Sequence, residues 1–191
     1  MLDHKFFSRN QLLNESAELF ANRSAETTDI LHEYFIPPTQ FNAFLRRLRE
    51  IIPRHDGDLL NVTIRNILRD DDAFLRYADQ DLFALVMLFN QSRLPEGEAQ
   101  MMEMTRDLVA AVLELGGRYY LPYRLHATQR QFEQAYPQAA EFFELKRRYD
   151  PDELFQNQFY VRYGKPKSGS PRVRPSAGIP DLESPAAIAE E

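Results

Sequence analysis

Leu59-Leu-Asn-Val-Thr-Ile-Arg-Asn-Ile-Leu68 alternates: Val62, Ile64 and Asn66 fall on one side, and Asn61, Thr63, Arg65 and Ile67 on the other. A period of two is the signature of a half-buried strand. Further along, Leu82-Phe-Ala-Leu-Val-Met-Leu-Phe89 is apolar at every position, which suits a central strand covered on both faces. Upstream, Asp29-Ile-Leu-His-Glu-Tyr-Phe-Ile36 is rich in aromatic and β-branched residues and is stopped by Pro37-Pro38, so it also reads as a strand. The intervals supply helices. Thr39 is the expected N-cap of the first, in which Phe41, Phe44, Leu45, Leu48 and Ile52 recur at helical spacing until Pro53 ends the run. From Gly97 to Leu115 the residues Met101, Met104, Leu108, Val112 and Leu115 form one stripe, with Gly116-Gly117 as the stop. Two shorter helices are predicted at 128–136 and 138–149, separated by Pro137. The order strand, helix, strand, strand, helix, with a polar connection around Asp70 to Gln80, predicts an α+β fold: an antiparallel sheet covered by helices on one face.

This domain is expected over 29–164. Residues 1–28 read as an irregular lead-in with a short helix at 14–21. The segment 165–191 holds five of the chain's twelve prolines and no aromatic residue, the composition of a disordered tail. An apolar content of 43% and an aromatic content of 12% support a packed globule. The net charge of -6, with 29 acidic residues interspersed among 23 basic ones, argues against a nucleic-acid partner. No transmembrane segment is expected, because the longest apolar run, Leu82 to Phe89, is far too short to span a bilayer. Asp3, His4, Lys5, Arg9 and Glu15 interrupt the start where a signal peptide would be apolar, so the expected location is the cytoplasm. The absence of cysteine excludes disulfides, thiolate metal sites, Fe–S clusters and cysteine nucleophiles. Redox chemistry would then need a bound organic cofactor.

Asn61, Thr63 and Arg65 share a strand face and can fix a guanidinium and two hydrogen-bonding groups at a pocket wall. A solvent-facing sheet surface has the same pattern, and the residues alone leave both open. His32 reads as a structural histidine within its strand. His4, His32, His55 and His126 show no metal-ligand spacing, so no metal site is expected. Arg118-Tyr-Tyr-Leu-Pro-Tyr-Arg-Leu-His-Ala127 mixes aromatic, cationic and imidazole groups after a helix stop. That mixture suits a polar organic ligand on an apolar floor, or equally a strand with snorkelling arginines. Glycine-rich phosphate loops, dinucleotide fingerprints and nucleophile elbows are missing.

Several segments together resemble the vanillyl-alcohol-oxidase-type flavoproteins, in the branch of alditol oxidase and D-arabinono-1,4-lactone oxidase. They are Glu33-Tyr-Phe-Ile-Pro37, Asn61-Val-Thr-Ile-Arg-Asn66, Leu82 to Asn90, Gly116-Gly-Arg-Tyr-Tyr120 through His126, Lys146-Arg-Arg-Tyr-Asp-Pro151 and Leu154-Phe-Gln-Asn157. The resemblance implies the cap that covers the isoalloxazine of FAD and shapes the substrate site for hydride transfer from a CH–OH group to flavin N5. Nothing matches the family's FAD-binding domain, so the chain resembles a truncated or split member. FAD is expected in the complete enzyme and not on this chain alone; a separate FAD-binding chain and a polyol or lactone substrate are the implied partners. The alternative is a non-catalytic remnant or cap subunit acting as an interaction module. The family's Glu-x-Arg falls on Thr63 and Arg65, keeping the arginine and losing the acid. The family's flavin-side lysine falls on Tyr123 or Arg124. Arg65 and Arg124 are therefore the expected catalytic residues, and Asn61, Thr63, Tyr123 and His126 the expected substrate-binding ones. Asp150-Pro151 and Phe155-Gln-Asn157 are expected to be structural.

Overall fold

In the computed structural model, residues 24–165 are described. The helix expected at 14–21, and all of the expected tail but Lys165, lie outside them. Four strands, β1 (Thr27–Ile36), β2 (Asp58–Ile67), β3 (Leu82–Ser92) and β4 (Arg118–Tyr119), form one sheet in the order β2-β3-β1-β4. Every pairing is antiparallel. β3 lies inside the sheet, the place its uninterrupted apolar run requires.

Helices α1 (Phe41–Arg54) and α2 (Pro95–Glu114) cover one face of this sheet, and α3 (Gln129–Ala135) and α4 (Ala139–Tyr149) extend the layer. Ile30, Tyr34, Leu85, Met87 and Phe89 from the strands meet Phe44 and Leu48 of α1, Met104 and Leu108 of α2, and Phe132 and Phe143 of α3 and α4 in one buried core. No described helix is long and apolar enough to cross a membrane.

Two local readings are corrected. Thr39 is not a cap: Pro37 and Pro38 fix the backbone into a 3-10 turn, Pro38–Gln40, closed by the Gln40 N–H donating to Pro37 O at 2.8 Å, and Gln40 precedes α1. Pro53 does not end α1 but sits in its last turn, where a missing N–H costs a single intrahelical bond. The stop comes just beyond, where Asp56 adopts φ 48° and the Gly57 N–H bonds back to Ile52 O at 2.9 Å.

The end of α2 places the next segment. Gly116, at φ 73°, donates to Leu113 O and Gly117 to Val112 O, the paired bonds of a Schellman motif. A Cβ on Gly117 would meet the Phe35 carbonyl oxygen at 2.2 Å, so only glycine lets the chain pass this close to β1. Arg118 and Tyr119 then pair with Phe35 and Tyr34, and the chain from Tyr120 runs along the edge of β1.

Candidate functional site

Directly paired residues of an antiparallel sheet share a face. The register therefore aligns three rows on the side away from the helices: Leu31, Leu88 and Asn61; Glu33, Val86 and Thr63; Phe35, Ala84 and Arg65. A bulge between Leu59 and Asn61 resets the phase so that the polar residues of β2 take this side. The connection from β2 to β3 folds over one end of the face. Asp70 accepts the N–H groups of Asp72 at 2.9 Å and Ala73 at 3.0 Å, and Tyr77 stacks on Phe35 with ring centroids 4.2 Å apart. Arg118 anchors this connection by donating to Arg76 O at 2.8 Å and pairing with Asp79.

Beyond that cover the face is bare of helices. Val86 and Leu88 form a half-buried floor, and Asn61, Thr63 and Arg65 stand exposed on β2. Tyr77, Tyr120 and Tyr123 make a rim of edge-on rings, with centroids 5.6 Å apart for the first pair and 5.2 Å for the second. Glu33 opens onto this basin although it is only 9% exposed. Burial pushes its carboxyl above the usual carboxylate range, against the opposing pull of the Arg65 charge and the Tyr123 hydroxyl. Tyr123 is raised in turn, first by burial and then by the Glu33 charge.

The cleft lined by Glu33, Tyr120, Tyr123 and Arg124 along the edge of β1 holds about 20 Å3, room for one water and not for a substrate. A ligand would therefore lie on the face itself. A larger cavity of about 200 Å3 lies between the end of α1, the end of β3 and the start of α2, and is lined by none of the expected catalytic or substrate-binding residues.

The structure brings Asn61, Thr63 and Arg65 together and turns Tyr123 toward them. It does not bring His126 there. His126 is 5% exposed on the helix side of the sheet, hydrogen-bonded through Nε2 to Glu98 Oε1 at 2.8 Å and through Nδ1 to Thr105 Oγ1 at 3.0 Å. Glu98 also binds Arg124 at 2.9 Å and accepts from Gln91 at 2.9 Å, so Arg124 is held beside α2 rather than over the basin. Thr105 lies 3.5 Å from His32 Nε2, and the Tyr34 hydroxyl is 3.0 Å from His32 Nδ1, which completes a polar chain through the core. Burial, then the charges of His126 and Arg124, push His32 down to about 3, and burial lowers His126 despite Glu98. His32 has the structural place its sequence context suggests.

Glu33 is the residue the sequence reading passed over as a site. Its signal was present: a carboxylate set directly before the apolar run Tyr34-Phe-Ile36, in the half of the strand where an unpaired charge is rarely tolerated.

Asp150 and Asn157 hold backbone. Asp150 accepts from the Leu154 and Phe155 N–H groups at 2.9 and 3.0 Å, and Asn157 Oδ1 accepts from the Tyr160 N–H at 2.8 Å.

The basin offers an apolar floor beside hydrogen-bonding groups, as a flat ring with a polar ligand would need, whereas three of the four α-helix N-termini do not suit a dinucleotide's phosphates. The first turn of α2 carries Glu96 and Glu98, that of α4 carries Glu141, and the N-terminus of α3 is closed by the Thr128–Gln131 capping box.

No curated protein sequence matches this chain. The profile of the D-arabinono-1,4-lactone oxidase family, whose members are FAD-linked oxidoreductases, does match it from residue 2 to residue 163. Since that span takes in the sheet, the helix layer and the basin between the tyrosine rim and β2, the chain belongs to the D-arabinono-1,4-lactone oxidase family.

Proposed function

We infer that the helix-free face is the substrate side of an FAD-dependent oxidoreductase acting on a CH–OH group of a sugar alcohol or aldonolactone, with the dinucleotide held by residues other than those described. When bound, the flavin supplies the hydride acceptor. The observation that carries this reading is the contrast in burial: beyond the small core that Phe35 and Ala84 make with Ala78 and Leu82, an arginine and two hydrogen-bonding side chains stand exposed beside an apolar floor on the sheet face the described helices leave uncovered.

Arg65 is the cation of the basin. A fixed guanidinium can hold the substrate oxygen and favour the negative charge that gathers there as the carbinol hydrogen leaves. Thr63 and Asn61, successive on the same face, offer hydrogen bonds to neighbouring hydroxyls. Tyr123 and Tyr120 wall the opposite side and exclude water from one flank. Arg124 and His126 act indirectly, by fixing the segment that carries Tyr123 onto α2 through Glu98.

The test is anaerobic bleaching of the flavin, by a panel of sugar alcohols and aldonolactones, in the flavin-loaded protein, meaning here and below the complete enzyme that carries this chain. Reduction by at least one, with saturation, is the expected result. A protein with bound, photoreducible flavin that no member of the panel bleaches would remove the reading in favour of a non-catalytic cap.

A further inference from the structure

We propose that Glu33 is the proton acceptor of this site, the carboxylate that takes the hydroxyl proton of the bound alcohol as the carbinol hydrogen departs. The inference rests on the helix-free face being the substrate side. Position 63, where the family resemblance implies an acid, holds Thr63, so β2 presents Arg65 without a carboxylate beside it. The sheet register supplies one from another strand. Glu33 of β1 and Thr63 of β2 flank the same residue of β3, Val86, on the same face.

What surrounds Glu33 suits a base rather than a buried ion pair. Arg65 reaches it from β2 through space, without closing a direct salt bridge. Tyr123 touches it from the segment after β4, and Tyr77 lies within its field from the connection between β2 and β3. Burial raises its pKa, the direction a general base near neutral pH requires. The step balances. The C–H bond breaks with its electron pair going to the flavin, the O–H bond breaks with its proton going to the Glu33 carboxylate, and the carbon–oxygen single bond becomes a carbonyl. The substrate is oxidised, the flavin is reduced, and Glu33 is left neutral between Arg65 and Tyr123.

Two measurements test this. In the full chain without flavin, the Glu33 carboxyl resonance, identified by its loss in Glu33→Gln, should titrate above the ordinary carboxylate range. Tyr123→Phe should move it higher still, because the tyrosine contact lowers it. In the flavin-loaded protein, Glu33→Gln should slow flavin reduction by roughly 10²–10⁴-fold and abolish the acidic limb of its pH profile. Arg65→Ala should slow reduction and keep that limb. Fast reduction with an intact limb in Glu33→Gln, alongside a slow Arg65→Ala, would overturn the proposal and leave the substrate face standing. Wild-type rates in both variants would remove the substrate face as well. Should Glu33→Gln fail to fold, Tyr123→Phe keeps the carboxylate in place, and an acidic limb that does not move to higher pH in that variant overturns the assignment.

Discussion

The two faces of β1 and β3 are built from alternate residues of the same strands and differ in nearly everything else. Toward the helices, Ile30, Tyr34, Leu85, Met87 and Phe89 are sealed into the core, and even the polar groups there, His32, Thr105 and His126, are bonded to one another. Away from the helices, Leu31 is 40% exposed, Val86 and Leu88 are half-buried, and Glu33 and Arg65 influence each other across the face without a direct ion pair. His32, Thr105 and His126 on the covered side are held by one another, while the buried Tyr119 hydroxyl and Gln91 Oε1 there have no hydrogen-bond partner among the described residues. A polar group on the bare side is available to a ligand. This difference separates the residues that hold the fold from those proposed to do chemistry.

The most severe way to break the comparison is to place a charge on the covered face. Leu85 is fully buried, so Leu85→Asp should strand an unpaired carboxylate in the core, at a cost of several kcal/mol against a total stability of roughly 5–15 kcal/mol. The expected outcome is no soluble folded protein; a cooperative melt near the wild-type temperature would show that this face is not the core.

Arg65→Ala on the bare face should do the opposite. In the flavin-loaded protein the rate of flavin reduction should fall by roughly 10²–10³-fold, the scale for losing one preorganised charge-stabilising donor, with the melting curve unchanged. Arg65→Lys should restore only part of the rate, since ammonium lacks the planar fork. Stopped-flow bleaching paired with calorimetry separates the two effects.

Acid should reach the covered face first. His32 is held near 3 in the fold against 6.5 when free, so between those values the unfolded chain binds a proton that the folded one does not. Its contribution is intact above pH 6.5 and is lost as pH falls, by roughly 1.4 kcal/mol per pH unit. The lowered His126 adds to the loss in the same direction, and so does Glu98 at lower pH, its carboxyl being depressed, against the opposing effect of burial, by Gln91, His126 and Arg124. Urea denaturation at a series of pH values should show this slope, flattened in His32→Gln; an unchanged slope in that variant would place the acid sensitivity elsewhere.

The smallest effect belongs to the outer edge. Ile64 is 54% exposed on β2, beyond the reach of the helices, so Ile64→Thr should shift stability by no more than about 0.5 kcal/mol. A larger loss on a melting curve would mean that this edge is covered in solution.

Much of this architecture was legible. The period-two run at β2, the unbroken apolar run at β3 and the Gly116-Gly117 stop each follow from local rules and each is found in place, but β2 is not half-buried as its alternation suggested, since at the sheet edge Val62 and Ile64 are 37% and 54% exposed. The misplaced features are equally local in origin. Thr39 had the right chemistry for a cap, but the two preceding prolines set the backbone first. Arg65 was legible as part of the polar β2 face because its alternation survives at the sheet edge. His126 was less so, because composition alone could not say on which side of the sheet the segment after β4 would deposit its imidazole.

The sequence by itself determined the elements, the central place of β3 and the polar character of one β2 face, because strand period, apolar runs and helix stops are properties of neighbours along the chain. Only the tertiary structure decided which polar residues share a surface. Glu33 and Arg65 lie on different strands, and pairing through β3 sets them on one face; Arg124 and Tyr123 are adjacent in sequence, yet one is bound to α2 and the other faces the basin. The physical reason is that a strand's alternation fixes two faces without saying which will be covered, and that choice is made by where the helices find enough apolar area to bury.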